Sequence, residues 1–262
     1  MASIKSSIKQ LIPEKLLDLY RVLRFPSDRY AFFPHPLSYK QDGLATAHNC
    51  DFMKDERFMR AYHQGEATGS WGGGAVHWRA HVVCWAACQA ARLDGDFVEC
   101  GVNRGGYSRM VIDFIDFSSV AKKFYLLDTF NGLVEKYISP EEKLLGRKAG
   151  SAGGYEECYE SVVRTFAPFR NVVIVRGPVP DTLPNVESDK ICYLSIDMNN
   201  AEPEIAAGEY FWDKLVSGAI LILDDYGHGD YIVQKRAWDA FAQRHQVMIL
   251  SLPTEQGIII KP

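Results

Sequence analysis

From Asp94 onward the chain alternates short apolar runs with longer amphipathic ones, and that rhythm limits the folds open to it. DFVECGV (96–102), FYLLDTF (124–130), NVVIVRG (171–177), ICYLSIDMN (191–199) and GAILILDDYG (218–227) read as strands. They are short, rich in β-branched and aromatic residues, and bounded by turn formers. Between them GYSRMVIDFIDF (106–117), YEECYESVVRTF (155–166), EPEIAAGEYFWDKL (202–215) and DYIVQKRAWDAFAQRH (230–245) carry a helical period. Nearly continuous apolar strands separated by helices build βαβ units. The expected fold is therefore α/β, a doubly wound, mostly parallel, Rossmann-like sheet covered on both faces. At the end of the chain QVMILSL and QGIIIK are joined only by PTE, a link so short that the pair must close the sheet as an antiparallel hairpin.

Residues 1–90 read as a helical N-terminal extension and 91–262 as the ligand-binding domain. Within the extension, 2–24 form two short amphipathic helices with a small basic excess. They suit packing on the body or a homodimer, with peripheral membrane contact as the second reading. Asp51 to His63 looks helical, QGEATGSWGGG (64–74) is a mobile glycine-rich loop, either lid or connector, and 75–91 is a largely buried helix. A second mobile loop is expected at SPEEKLLGRKAGSAGG (139–154). The net charge of −4 argues against a nucleic-acid partner, which needs a basic field. The six cysteines form no CxxC pair and several sit in apolar runs, which fits a reducing, cytoplasmic setting. No apolar run reaches the ~20 residues of a membrane span, and the N-terminus has no signal-peptide core.

In an open α/β sheet ligands bind beyond the C-terminal ends of the strands. There the first strand carries Glu99, then Gly101, Asn103 and Gly105. The second carries Asp128 and Thr129, the fourth Asp197, and the fifth Asp224 and Asp225. Solvated acids belong on outer helix faces, so their recurrence at one sheet edge calls for a ligand. The spacing G-V-N-R-G-G fails the GxGxxG dinucleotide pattern, and Glu99 would repel a pyrophosphate. A cationic head suits Glu99 and two ribose hydroxyls suit Asp128. An adenosine with a positive centre is S-adenosylmethionine. Asp197, Asp224 and Asp225 would repel one another unless a cation lies between them, and hard oxygen ligands select Mg²⁺ or a similar divalent ion.

These stretches, DGDFVECGVNRGGYS, LLDTFNGL, LSIDMN, GAILILDDYG and KRAWDAF, resemble the macrocin O-methyltransferase (TylF-like) family of class I S-adenosylmethionine-dependent methyltransferases, in that family's order over roughly residues 94–245. The resemblance implies methyl transfer to a hydroxyl of a small-molecule or glycan substrate, typically a sugar on a glycan, nucleotide sugar or glycosylated natural product, with bound Mg²⁺. It puts the metal on Asp197, Asp224 and Asp225. Cofactor contacts fall on Glu99, Gly101, Ser108 and Asp128, with Gly177 near the adenine; Asn103, Gly105 and Thr129 lie in the same turns. Many members carry an Asp two residues after the first metal ligand, where this chain has Asn199.

A sugar hydroxyl needs its proton removed. The candidates are a carboxylate of the cluster, Asp197 among them, or His228, whose unperturbed pKa near ~6.5 suits a general base. His81 is left to the core. Trp71, Tyr107 and Tyr226 are candidate stacking surfaces, with core packing as their default. The competing readings are a nucleotide-dependent oxidoreductase on a Rossmann sheet, which gives the paired acids no role, and a non-catalytic binding protein that keeps a methyltransferase fold.

Overall fold

The structure, a computed structural model, describes residue 33 and residues 35–262. The helices, membrane contact and dimer contact expected of residues 2–24 lie outside the described residues. The described residues divide into two units, a smaller one that includes Ala45–Asn49 and a larger one of Lys40–Leu44 with Cys50–Pro262. In the smaller unit the Ser38 amide donates to the Thr46 carbonyl at 3.0 Å.

The centre of the larger unit is a seven-stranded sheet made of β1 (Asp96–Cys100), β2 (Phe124–Asp128), β3 (Val172–Arg176), β4 (Ile191–Ile196), β5 (Leu215–Leu223), β6 (Leu250–Ser251) and β7 (Gly257–Ile260). The spatial order is β3-β2-β1-β4-β5-β7-β6. The first five strands are parallel, whereas β7 runs antiparallel to both β5 and β6. This is the expected doubly wound sheet with its antiparallel end. The edge strand β6 is only two residues long, which leaves little open ladder for another chain to extend.

The sheet is buried on both sides because its strands alternate two apolar sets. On one face Phe97 stacks on Tyr193, ring centroids 4.8 Å apart, with Phe117 and Phe124 edge-on around them. Helices α1 (Glu56–Glu66), α2 (His77–Ala90) and α3 (Gly106–Phe114) cover this face. On the other face Val98, Leu127, Leu194 and Leu221 meet α6 (Ala201–Trp212) and α7 (Ile232–His245). Full burial of each such side chain contributes about 1.5–3 kcal/mol, so the two faces together hold the sheet. His81 stacks on Phe52 at 4.2 Å in the first of these layers, and burial lowers its pKa, as befits a core histidine.

Several boundaries differ from the sequence reading. Strand β5 ends at Leu223, so Asp224–Gly227 form a turn rather than the end of a strand. Helix α5 (Tyr159–Phe166) starts four residues late. Residues 139–154 are not a featureless loop: Ser139 and Glu142 form a capping box around Pro140 and nucleate α4 (Pro140–Leu144). Buried Glu142 also takes the Ala201 amide at 2.7 Å, tying α4 to the start of α6. All six cysteines are free thiols, and no described helix is long and apolar enough to cross a membrane.

Candidate active site

The strand order reverses between β1 and β4, and the turns that follow these two strands leave the sheet side by side. A cavity of about 720 Å³ opens there. The turn after β1 comes so close to the turn after β4 that a Cβ on Gly101 would lie 1.8 Å from the Asp197 carbonyl oxygen, and Gly101 also has φ +89. Only glycine fits both demands. The Gly101 amide donates to Leu127 and the Asp197 amide to Cys100, each at 2.9 Å, so three strand ends are laced together at the cavity floor.

Seven carboxylates line the cavity: Asp42, Asp128, Glu156, Asp197, Asp224, Asp225 and Glu255. The charged or basic groups set against them are Arg79 and His228. Burial and the charges of Asp224 and Asp225 push the Asp197 carboxyl well above the usual range, and burial with the Asp224 charge does the same to Asp225. Asp224 itself is met by protein. Its Oδ2 accepts from Arg79 Nη1 at 3.0 Å and its Oδ1 from Gln256 Nε2 at 2.9 Å. Arg79 comes from α2, and its other contacts form a fork onto Asp42 at 2.6 and 2.7 Å. Sequence reasoning missed Arg79, Asp42 and Gln256.

Asp197 is oriented from behind. Its Oδ1 accepts from Asn199 Nδ2 at 3.0 Å, and the Asn199 Oδ1 accepts from the Tyr231 hydroxyl. Asn199 adopts φ +62, a conformation that asparagine tolerates better than most residues. The same turn is anchored by buried Glu204, which accepts from the amides of Met198 and Asn199, the Gln234 side chain and the Trp238 indole at 2.9–3.2 Å.

The predicted cofactor residues divide into two sets. Gly101, Asn103, Asp128, Thr129 and Gly177 line the cavity. Glu99, Gly105 and Ser108 do not. Glu99 and Ser108 are buried under the floor and hydrogen-bonded to each other, and Gly105 caps α3 against the Phe166 ring. Glu99 was expected to face a cationic ligand head; instead it is buried against α3, whose Ser108 hydroxyl donates to it. Asp128 was expected to present its oxygens to ribose. Its Oδ2 accepts from the amides of Val102 and Asn103, and its Oδ1 from that of Phe130, all at 2.7 Å. Burial still raises its pKa against these donors.

His228 reaches the cavity wall with Nδ1 accepting from the Asp230 amide at 3.1 Å, which leaves Nε2 toward Glu255 at 3.9 Å. Trp71 and Tyr107 line the cavity, whereas Tyr226 is buried and donates to Asp239 at 2.5 Å. Of the glycine-rich segment 64–74, residues 64–66 continue helix α1, and Ser70 Oγ accepts from the Gly106 amide at 2.9 Å. Arg104 and Lys235 pair with Glu156 and Asp239.

Burial pushes the Glu99 carboxyl up to about 8. A raised carboxyl pKa makes the folded state hold a proton that the unfolded chain releases. Its contribution to stability is therefore full below about pH 4.5 and is lost as pH rises toward 8. Glu99→Gln removes that dependence. Its melting temperature relative to the wild type should climb between pH 5 and 8 and level off above, as thermal melts across that range would read.

The Macrocin-O-methyltransferase (TylF) family matches residues 68–250, most of the chain. The chain belongs to this family. Its fold is that of solved methyltransferases. The O-methyltransferase NovP superposes with a TM-score of 0.58 at 21% identity, over 70% of this chain and 79% of NovP. CalS11, a calicheamicin methyltransferase, gives 0.57 at 15%, over 82% and 94%. The S-adenosylhomocysteine-bound Podospora anserina methyltransferase PaMTH1 gives 0.51 at 12%, over 79% and 88%. No curated protein sequence matches this chain.

Proposed function

We propose that this member of the TylF family transfers a methyl group from S-adenosylmethionine to a sugar hydroxyl of a glycan, nucleotide sugar or glycosylated natural product, with a divalent cation in the site. The observation that carries the reading is the composition of the cavity wall: seven carboxyl groups with one guanidinium and one imidazole at the switch point of the sheet. Such a wall selects cationic ligands. Family membership supports the reaction class, and the nucleoside bound to PaMTH1 supports the donor. The free thiols are consistent with a cytoplasmic enzyme.

The residues fit both groups, although unequally. Gly101, Asn103, Thr129 and Gly177 line a cavity large enough for a nucleoside plus an acceptor. S-adenosylmethionine supplies the methyl group on a positively charged sulfur. Among the described residues no set of three His, Cys, Asp or Glu side chains stands ready around a metal position. Asp197 and Asp225 have the right chemistry to hold a hard divalent ion, while Asp224 is engaged by Arg79 and Gln256. Held by these carboxylates, such an ion would supply stabilisation of negative charge on a hydroxyl oxygen.

The chain's own groups do the remaining work. Asn199, held by Tyr231, fixes the rotamer of Asp197. His228 accepts the hydroxyl proton at Nε2, because Nδ1 is taken by the Asp230 amide. Trp71, Tyr107 and Tyr155 wall the cavity and exclude water beside the acceptor.

Calorimetric titration of S-adenosylmethionine, S-adenosylhomocysteine and NAD, with and without Mg²⁺, tests the assignment. Both sulfur nucleosides should bind and NAD should not. Binding of NAD alone would replace this reading with an oxidoreductase.

A further inference from the structure

Asp224 has two claimants. Arg79 holds Asp42 by a two-point fork at 2.6 and 2.7 Å but touches Asp224 through a single bond of 3.0 Å. Releasing Asp224 would therefore cost Arg79 one contact of three and leave its anchor intact. The carboxylate would not swing free, because its Oδ1 stays with Gln256, a fully buried side chain whose Oε1 accepts from Thr254 at 3.2 Å. Arg79, Asp42 and Asp224 all border the same cavity as Asp197 and Asp225. Four carboxyl groups thus gather around one guanidinium, and only two of them are paired with it.

We infer that Arg79 is a built-in competitor of the divalent cation for Asp224, anchored by Asp42 so that it can yield the carboxylate without leaving the site. This rests on the cation reading given above. The Asp42–Arg79 pair is a positioning device: it keeps Asp224 paired and in register when no ion is bound, and it weakens the site's hold on an ion. A third carboxylate joins the ligand set only when Arg79 lets go, so removing Arg79 should tighten binding. Fewer positive charges and one more free carboxylate act in the same direction.

Mn²⁺ titrated into the full chain, followed by electron paramagnetic resonance of the free ion and by calorimetry, tests this without an assay of turnover. Arg79→Gln should bind Mn²⁺ about tenfold more tightly than the wild type, or better. A gain in affinity is something that structural damage would not produce. Unchanged or weaker binding in Arg79→Gln would overturn the inference, since Arg79 would then be a support of the ligand set rather than its rival. If Arg79→Gln does not fold, the double variant Asp42→Asn with Arg79→Gln leaves one fewer carboxylate unpaired. Measured against Asp42→Asn alone, it should show the same gain. Absence of Mn²⁺ binding from every protein would overturn both the competition and the cation. S-adenosylhomocysteine binding in the same samples reports separately on the methyl-transfer reading.

Discussion

Asp225→Ala should lose on the order of 100-fold or more in S-adenosylhomocysteine production while becoming more stable than the wild type. Both halves come from the same environment. Asp225 is a mostly buried carboxylate next to Asp224, and burial with that neighbour's charge drives its pKa well up. In the folded protein its ionised form is disfavoured, so above its ordinary value of 3.8 the side chain subtracts from stability. Alanine removes the penalty, and a melting temperature higher by a few degrees at pH 7 is expected. The gain should vanish as pH falls below about 4, where the carboxyl is protonated in both states. Residues kept against stability are those a site needs. A variant with near-normal turnover would remove Asp225 from the ligand set, and one with a lowered melting temperature would show that its charge is already neutralised within the fold.

The second large effect is on folding. Gly101→Ala places a methyl group 1.8 Å from the Asp197 carbonyl oxygen, at a φ of +89 that alanine avoids. The neighbour is backbone at the end of a central strand, so it cannot rotate away. Separating the two turns would break the amide bonds from Gly101 to Leu127 and from Asp197 to Cys100. A loss of more than about 4 kcal/mol is expected, enough to unfold many domains of this kind. Gly146→Ala is a control with φ +94 and open space around the added carbon, and it should cost only the backbone strain. Chemical denaturation of the two variants separates the clash from the strain. Equal midpoints would mean that the turns are not in contact.

Much of this was legible in the sequence for a simple reason. Parallel strands are buried on both faces, so an acid within or just beyond one is conspicuous, and Asp128, Asp197, Asp224 and Asp225 all reach the cavity. Glu99 shows the limit of that logic. It is as conspicuous as the others, but it sits one residue inside the strand end, where both faces of the sheet are covered. Arg79 was invisible for another reason: 145 residues separate it from Asp224, and no local pattern says which face of α2 looks onto the sheet edge. Asn199 read as a missing base because its type alone was considered. Its left-handed backbone and its place between Tyr231 and Asp197 give it an orienting role. The capping box at Ser139 was readable, but the glycines and charges after it suggested a loop.

The bonding of Asp128 reaches beyond its own turn. The amides of Val102 and Asn103, at the glycine turn that leads into α3, point into its carboxylate, and the Gly106 amide is taken by Ser70. A dinucleotide fold presents donors of this kind to a pyrophosphate. In this protein the anion hole already has a tenant, tethered to the neighbouring strand. A phosphate arriving from solution would have to displace a competitor whose local concentration no dissolved ligand can match. Discrimination against phosphate at this turn is thereby written into the scaffold before any ligand makes contact.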